Sequence, residues 1–375
     1  MDNLAVELIE EIVSHLKSDS VVLHSLCLCS KRLLPISLRT LYRDIIITDL
    51  DSEGPPGRIR LEPCRASQVF TTLARLNTSL ARYVRNFYLA PSGSFWSVSK
   101  HNRSNVREDF IASLKLMVNL KHLSIHISDG EMTWNALRCC TSNQLESLSV
   151  SLFSMCRDVE LPLGQHRLKQ LQLRIPSYAA FPYIQLSHLA VVGGDARTIE
   201  HILPNTSISS LFWTRSSGDF ITLTPALIHG FNNLHTLCIE SSYYWNIKFL
   251  APHLQRLRVL HFTRDGECFV NFKAELDDVP LLRGLHTFIY SDQNKYKLGY
   301  FSMSERARAK NLKAIKIDAK PLVLEWFRQL PCFQAAYFQV GNALREERSF
   351  LVWEQDRRCY RMAEGSEVWN ISPWR

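Results

Sequence analysis

The sequence lacks any CxxC pair, although it holds ten cysteines in 375 residues. Cys27 and Cys29 stand two apart, Cys139 and Cys140 are adjacent, and no Cys/His group has zinc-type spacing. A chain this long does not need a disulfide framework, so reduced and mostly buried thiols are expected. Unbroken apolar runs of membrane length are missing too. The uncharged stretch from Ile175 up to Asp195 is interrupted by Pro176 and Pro182, and no span is expected. The opening MDNLAVELIEEI has neither a basic n-region nor an apolar h-region. A secretory leader is therefore not expected, and the expected location is cytoplasmic, nuclear or both. There is no block of Lys and Arg. The net charge is +8, yet residues 1–50 carry five Lys/Arg against seven Asp/Glu, so the excess is spread thinly beyond them. That favours acidic partners in general and disfavours nucleic acid. GxxxxGK[ST], GxGxxG, HExxH and GxSxG are all absent, so no enzyme activity, metal or cofactor is expected.

What is present is a folded composition and a repeat. Hydrophobic residues make up 46% and charged residues 21%, close to the globular average. The length suits two or three domains or one repeat array. From residue 84 the pattern LxxLxL recurs, as VRNFYL (84–89), LKHLSI (120–125), LESLSV (145–150), LKQLQL (168–173), LSHLAV (186–191) and ISSLFW (208–213). It continues through LHTLCI (234–239), LRVLHF (257–262), LHTFIY (285–290), LKAIKI (312–317) and FQAAYF (333–338). Positions 1, 4 and 6 are apolar in all eleven windows, whereas position 2 is never apolar. Choosing windows for leucine cannot produce that second column. Alternation over positions 3 to 6 reads as a strand with one buried face. From Leu120 to Phe333 the mean period is about 24 residues, inside the leucine-rich-repeat range of about 20–29.

Between the strands, 109–120, 196–205, 225–231 and 321–331 read as helical, the last two beginning at Pro. Strand plus helix at this period stacks into an α/β solenoid with a parallel sheet on its concave face. The chain here resembles leucine-rich-repeat proteins. The family's Asn or Cys eight residues after the first Leu is missing (Ser128, Phe153 and Pro176 stand there), so an irregular array is expected. Segment 49–65, with three Pro and two Gly, reads as a linker, and 91–105 as a loop. After residue 340, RSFLVWEQ and RCYRMAE alternate like a terminal β-hairpin that caps the array. The expected division is 1–47 as an N-terminal unit, 48–83 as linker and solenoid cap, 84–340 as solenoid and 341–375 as C-terminal cap.

In the N-terminal unit, Leu8, Ile12 and Leu16 recur at helical spacing beside Ile9 and Val13, with Glu7, Glu10 and Glu11 opposite. KSDS (17–20) caps, VVLHSLCLCS (21–30) gives a second helix and LLPISLRTLYRDI (33–45) a third segment. This order of pieces resembles the F-box. The ending LYRDI, followed by degenerate repeats, resembles fungal F-box proteins. Two positions depart from the family pattern: its Pro is Ala5 and its frequent Trp is Leu33.

The resemblance implies a substrate receptor of a Skp–cullin–F-box ubiquitin ligase. A Skp adaptor, and through it the cullin and RING subunits, would bind Leu4, Ala5, Glu7, Leu8, Ile12, Leu16, Leu23, Leu26, Leu28, Leu33, Leu34 and Pro35. A target protein would bind outward strand positions, where Tyr88, Gln172, Arg174, His188, Phe212, Glu240, His261 and Ile289 are expected on the surface. The alternative is a leucine-rich-repeat interaction scaffold with no ubiquitin role.

Overall fold

The structure is a computed structural model that describes residues 5–16, 19–48, 60–61, 63–90, 103–140, 145–151, 167–174, 188–214, 221–241, 247–264, 276–292, 317, 319–340, 349–356, 360–364, 367–368 and 371. The fold is α/β, with a largely parallel sheet and helices between several of the described strands. The chain forms two compact units, Met1–His188 and Leu189–Arg375.

The first unit opens with three helices, α1 (Val6–His15), α2 (Ser20–Cys29) and α3 (Leu33–Arg43). Asp19 starts α2 by accepting the Val22 N–H at 2.9 Å, the usual work of an N-cap side chain. Ala5, at the head of α1, makes no such bond. Ile9, Val13, Leu23, Leu33 and Ile36 form the bundle's core, with Leu16, Leu26 and Leu41 packed against it. Strands β1 (Asp44–Thr48), β2 (Arg60–Leu61), β3 (Asn86–Ala90), β4 (His122–Ile125), β5 (Ser147–Ser151) and β6 (Gln170–Arg174) follow. They pair in parallel, in the order β6-β5-β4-β3-β1-β2. Parallel pairing needs crossovers. Three of them run through α4 (Pro63–Thr71), α5 (Arg103–Leu116) and α6 (Gly130–Cys139); those between β1 and β2 and between β5 and β6 lie largely outside the described residues. Phe70 of α4, Phe87 of β3 and Phe110 of α5 meet with ring centres 5.0–6.3 Å apart and are fully or almost fully buried.

The second unit runs β7 (Val191–Gly194), α7 (Ala196–Ile202), β8 (Ser210–Trp213), α8 (Pro225–Asn232), β9 (Thr236–Ser241), α9 (Ile247–Leu250), β10 (Val259–Arg264), β11 (Thr287–Asp292), α10 (Lys320–Gln329) and β12 (Ala335–Val340). β7 to β12 are parallel neighbours in chain order. β13 (Ser349–Glu354) and β14 (Arg361–Glu364) then add antiparallel beyond β12.

One backbone rule explains a second column that is polar in every described rung but LAVVGG (189–194), where Ala190 stands. In the rungs of β4 to β6 and β8 to β12 the N–H groups of positions 2 and 3 converge on the position 2 carbonyl of the rung before. His235 and Thr236 both donate to the Ser209 oxygen at 2.8 and 3.0 Å, and Lys121 and His122 both donate to the Arg85 oxygen at 2.8 and 3.0 Å. The bond is made by backbone at the strand entrance, so the side chain is left to solvent and polar residues are favoured. Columns 4 and 6 fill the core: Leu123, Leu148, Leu171, Leu211, Leu237 and Leu260 are at most 1% exposed. Burial of each contributes roughly 1.5–3 kcal/mol.

The window LKAIKI (312–317) supplies no rung between β11 and β12, which pair directly with Thr287 opposite Ala335, and its Ile317, expected to point inward, is 56% exposed; 312–316 lie outside the described residues. Three further expectations are corrected. First, the sheet begins before residue 84. Arg85 N–H donates to the Arg43 oxygen at 2.9 Å, and Ile45 stands opposite Phe87, so YRDIII (42–47) is itself a rung. Second, the window LSHLAV is displaced by three residues. Ser209 and Ser210 donate to the Ala190 oxygen, and Val192 pairs with Leu211, so the rung is LAVVGG (189–194). Third, the segment read as a linker holds β2 and the start of α4, although 49–59 lie outside the described residues. Residues 91–102 of the expected loop also lie outside them, and 103–105 open α5. Among the thiols, Cys140 and Cys238 are buried whereas Cys29 and Cys332 are exposed.

Candidate functional site

The first candidate surface lies on the three N-terminal helices. Helix α1 is wider in its apolar arc than one contact face can cover. Ile9 and Val13 turn into the bundle at 4% and 2% exposure, while Leu8 and Ile12 remain 54% exposed. They are one helical turn apart and share a strip. Helix α2 presents Val21, Val22 and Leu28, and α3 presents Leu34, with Leu28 as much as 77% exposed. Seven of the fifteen exposed large hydrophobics among the described residues, Val6 included, fall within residues 6–34. Uncovered apolar surface is thus concentrated on these three helices, which makes them a candidate docking surface. Arg39 of α3 meets Glu10 of α1 at 2.8 Å on the surface.

The expected adaptor residues therefore divide. Ala5, Glu7, Leu8, Ile12, Leu28, Leu34 and Pro35 are exposed. Leu23 at 0% and Leu33 at 7% belong to the bundle core, and Leu16 and Leu26 pack half-buried against it. These four hold the helices together instead of offering surface. Leu4 lies outside the described residues. Val6, Val21 and Val22 were not among the expected residues. For Val21 and Val22 the signal was the apolar pair one residue into α2, after Ser20.

The second candidate surface is the outward strand face of the first unit. Tyr88, Ser124, Ser149 and Gln172 stand opposite one another on successive strands and are half-buried. His126 follows β4 with its ring 6.1 Å from the Tyr88 ring. Its Nδ1 lies 2.8 Å from Ser151 Oγ and its Nε2 3.1 Å from Ser149 Oγ. Ser149 gives its one hydroxyl proton to Gln172 Oε1 at 3.0 Å. It must then accept from Nε2–H, which leaves Nδ1 to accept from Ser151. Both imidazole nitrogens are thus used in the neutral form. Burial, and secondarily the Arg174 guanidinium, lower the His126 pKa to about 4. Arg174, at the end of β6, is exposed. The result is a fixed row of hydroxyl, amide and imidazole groups bordered by one cation, suited to hydrogen-bonding a partner's backbone or polar side chains.

In the second unit the equivalent positions are closed. Phe212 is 6%, Cys238 0%, His261 1%, Ile289 0% and Tyr337 6% exposed, against the expectation of exposed anchors. Ile289 and Tyr337 pack with Phe350 and Val352 of β13, Ala363 of β14, and Val368. Phe212 packs with Cys238 and Val191. His261 Nε2 is bonded to Ser291 Oγ at 2.7 Å, which satisfies a buried ring nitrogen. Glu240 is half-buried. His188 is exposed, but the three-residue displacement puts it in the turn before β7 and off the strand face.

Among the described residues no group of three or more His, Cys, Asp or Glu could hold a metal ion, and no helix is long and apolar enough to cross a membrane. No protein-family model matches the chain, and no curated protein matches it.

Proposed function

We propose that the chain is the substrate-recognition subunit of a Skp–cullin–F-box ubiquitin ligase. In this reading α1 to α3 are the F-box, and the two parallel ladders are degenerate leucine-rich repeats closed by β13 and β14. The observation that carries it is the uncovered apolar surface of Leu8, Ile12, Val21, Leu28 and Leu34 on helices whose sequence resembles the F-box. An adaptor that buries these strips would fix the chain in the ligase. The target would bind the polar strand face of the first unit, through Tyr88, Gln172 and Arg174. The chain does no bond chemistry itself. It raises the effective concentration of target lysines near the conjugating partner. The test is co-purification of a Skp adaptor and cullin with the full chain. Retention supports the reading. Failure to retain the adaptor, with the helices folded, leaves an interaction scaffold without a ubiquitin role.

A further inference from the structure

The crossovers through α4, α5 and α6 return the chain to one end of the first unit's sheet, where the strands begin. Leu76 and Val118 stand at that end. Leu76 closes the turn Thr72–Leu76, which continues α4 towards β3, and Val118 lies two residues beyond α5, before β4. They are 75% and 52% exposed. The turn packs along α5, and Asn119 donates a side-chain N–H to the Arg82 carbonyl oxygen at 2.7 Å, so the two entrances are joined. One exposed aliphatic side chain needs no explanation. Two on adjoining turns form the apolar part of a surface.

Exposed cations surround them. Arg82 and Arg85 precede β3, and Lys115 and Lys121 precede β4. Arg138 ends α6 before β5, and Arg167 and Lys169 precede β6. Backbone bonds fix the row: Lys121 N–H donates to the Arg85 oxygen at 2.8 Å, Glu146 N–H to the Lys121 oxygen at 2.7 Å, and Lys169 N–H to the Glu146 oxygen at 2.9 Å. Three steps of about 4.8 Å make that row about 14 Å long. Its one acid, Glu146, is engaged by Lys121 at 2.6 Å. Arg82, Arg85, Lys115, Arg138 and Arg167 make no ion pair among the described residues. Lys115 and Arg138 also suit the carbonyl ends of their helices. Arg85, Arg167 and Lys169 lie outside any described helix, so that reason does not cover them.

We propose that this end of the first unit docks on the surface of an anionic membrane, with Leu76 and Val118 entering the headgroup layer. The cations lie side by side along successive rungs instead of converging on one point, which suits a plane of negative charge better than a single small anion. Leu76 and Val118 stand out from turns instead of lining a groove, and an apolar layer that they can enter covers them without a shaped partner. Charge alone would equally accept nucleic acid. The two protruding aliphatic residues are what favours lipid. The site does not rest on adaptor docking and stands if that reading fails.

The test is co-sedimentation of the full chain with vesicles of phosphatidylcholine alone or of phosphatidylcholine with about 30% phosphatidylserine. Both lipids carry a phosphate, so the comparison reads net surface charge. Binding to the phosphatidylserine vesicles alone is expected, and it should weaken as salt rises. Each basic residue near such a surface changes affinity about fivefold, so Arg85→Gln/Lys169→Gln should weaken binding about twentyfold. Leu76→Ser/Val118→Ser should weaken it about tenfold, with the melting temperature unchanged. Lys248→Gln/Arg283→Gln removes the same charge from exposed positions of the second unit and should bind as wild type does. Leu8→Ala/Ile12→Ala, on the helical bundle, should also bind vesicles normally. Four results would each overturn the proposal: no binding to phosphatidylserine vesicles, equal binding to pure phosphatidylcholine, an equal loss in the second-unit variant, or a loss in Leu8→Ala/Ile12→Ala but not in Leu76→Ser/Val118→Ser. Displacement of the vesicles by a single-stranded oligonucleotide, with full binding kept in Leu76→Ser/Val118→Ser, would mark a nucleic-acid surface instead.

Discussion

Replacing Leu8 and Ile12 together with Ala separates docking from folding. Complete burial of a Leu or Ile side chain contributes roughly 1.5–3 kcal/mol. Both residues are 54% exposed in the free chain, so about half of that gain remains for a partner to realise. Two side chains then supply about 2 kcal/mol, less the share an alanine methyl keeps. At 1.4 kcal/mol per factor of ten, adaptor affinity should fall roughly tenfold to thirtyfold. Stability should hold, because alanine is the best helix former and neither side chain is in the core. The contrasting change is Ile9→Ala. Ile9 is 4% exposed in the bundle core, and its truncation should cost about 2–5 kcal/mol of stability. Isothermal titration against a purified Skp adaptor gives the affinity, and circular dichroism melting gives the stability. Unchanged affinity with an unchanged melting temperature would refute the docking face. A melting loss equal to that of Ile9→Ala would refute the division of α1 into inner and outer strips.

Further predictions concern the sheet. Leu171→Ala and Leu237→Ala, both at 0% exposure, should each lower stability by roughly 2–5 kcal/mol, while Gln170→Ala should be nearly silent in denaturant melts. Phe212→Ala should cost about 3–5 kcal/mol, since the ring is 6% exposed against Cys238; a silent Phe212→Ala in the same melts would mean that the second unit's face is open. His126 has a folded-state pKa of about 4, below its ordinary 6.5, so the unfolded chain binds more protons between those values. Stability should therefore drop as pH falls from about 6.5 to about 4, and His126→Gln should flatten that part of the melting-temperature profile.

The repeat was legible because its second column is set by backbone chemistry and its fourth and sixth by burial. Outside the displaced window and LKAIKI, which β11 and β12 bypass by pairing directly, the register read from sequence agrees with the pairing of the described strands. Two rungs misled for physical reasons. In LSHLAVV, Leu186 and Leu189 are three apart, so either can serve as position 1. Only the pairing of Val192 with Leu211 decides it. In YRDIII the alternation itself is gone: Ile45, Ile46 and Ile47 are 4%, 1% and 0% exposed. A strand buried on both faces reads as a continuous apolar run and loses its period of two. Its neighbour LYR belongs to the end of α3, so the helical motif and the first strand share one stretch of sequence. On the helices, periodicity showed that α1 is amphipathic. It could not say which half of a broad apolar arc the bundle takes and which it leaves.

The same rule bears on where a target can bind. Column 5 of the first unit gives LSI, LSV and LQL, which alternate, and those strands keep a half-open polar face. In the second unit it gives LFW, LCI, FIY and AYF, which are apolar throughout. An outward Phe, Ile or Tyr on such a strand gains more from being covered than from water, and these are covered to 6% exposure or less. LHF is the informative exception. It alternates, yet His261 is 1% exposed, because its neighbours in the row are Cys238 and Ile289 and a covered row takes its polar member with it. Ser291 then supplies the hydrogen bond that makes that burial tolerable. Outward position on a strand is thus not a sufficient sign of a binding surface; outward position in a row of polar residues is the better one. By that measure the row on which the proposed target binding would rest is Tyr88, Ser124, Ser149 and Gln172 with His126 and Arg174, and a partner that met it would exchange hydrogen bonds rather than fill an apolar pocket.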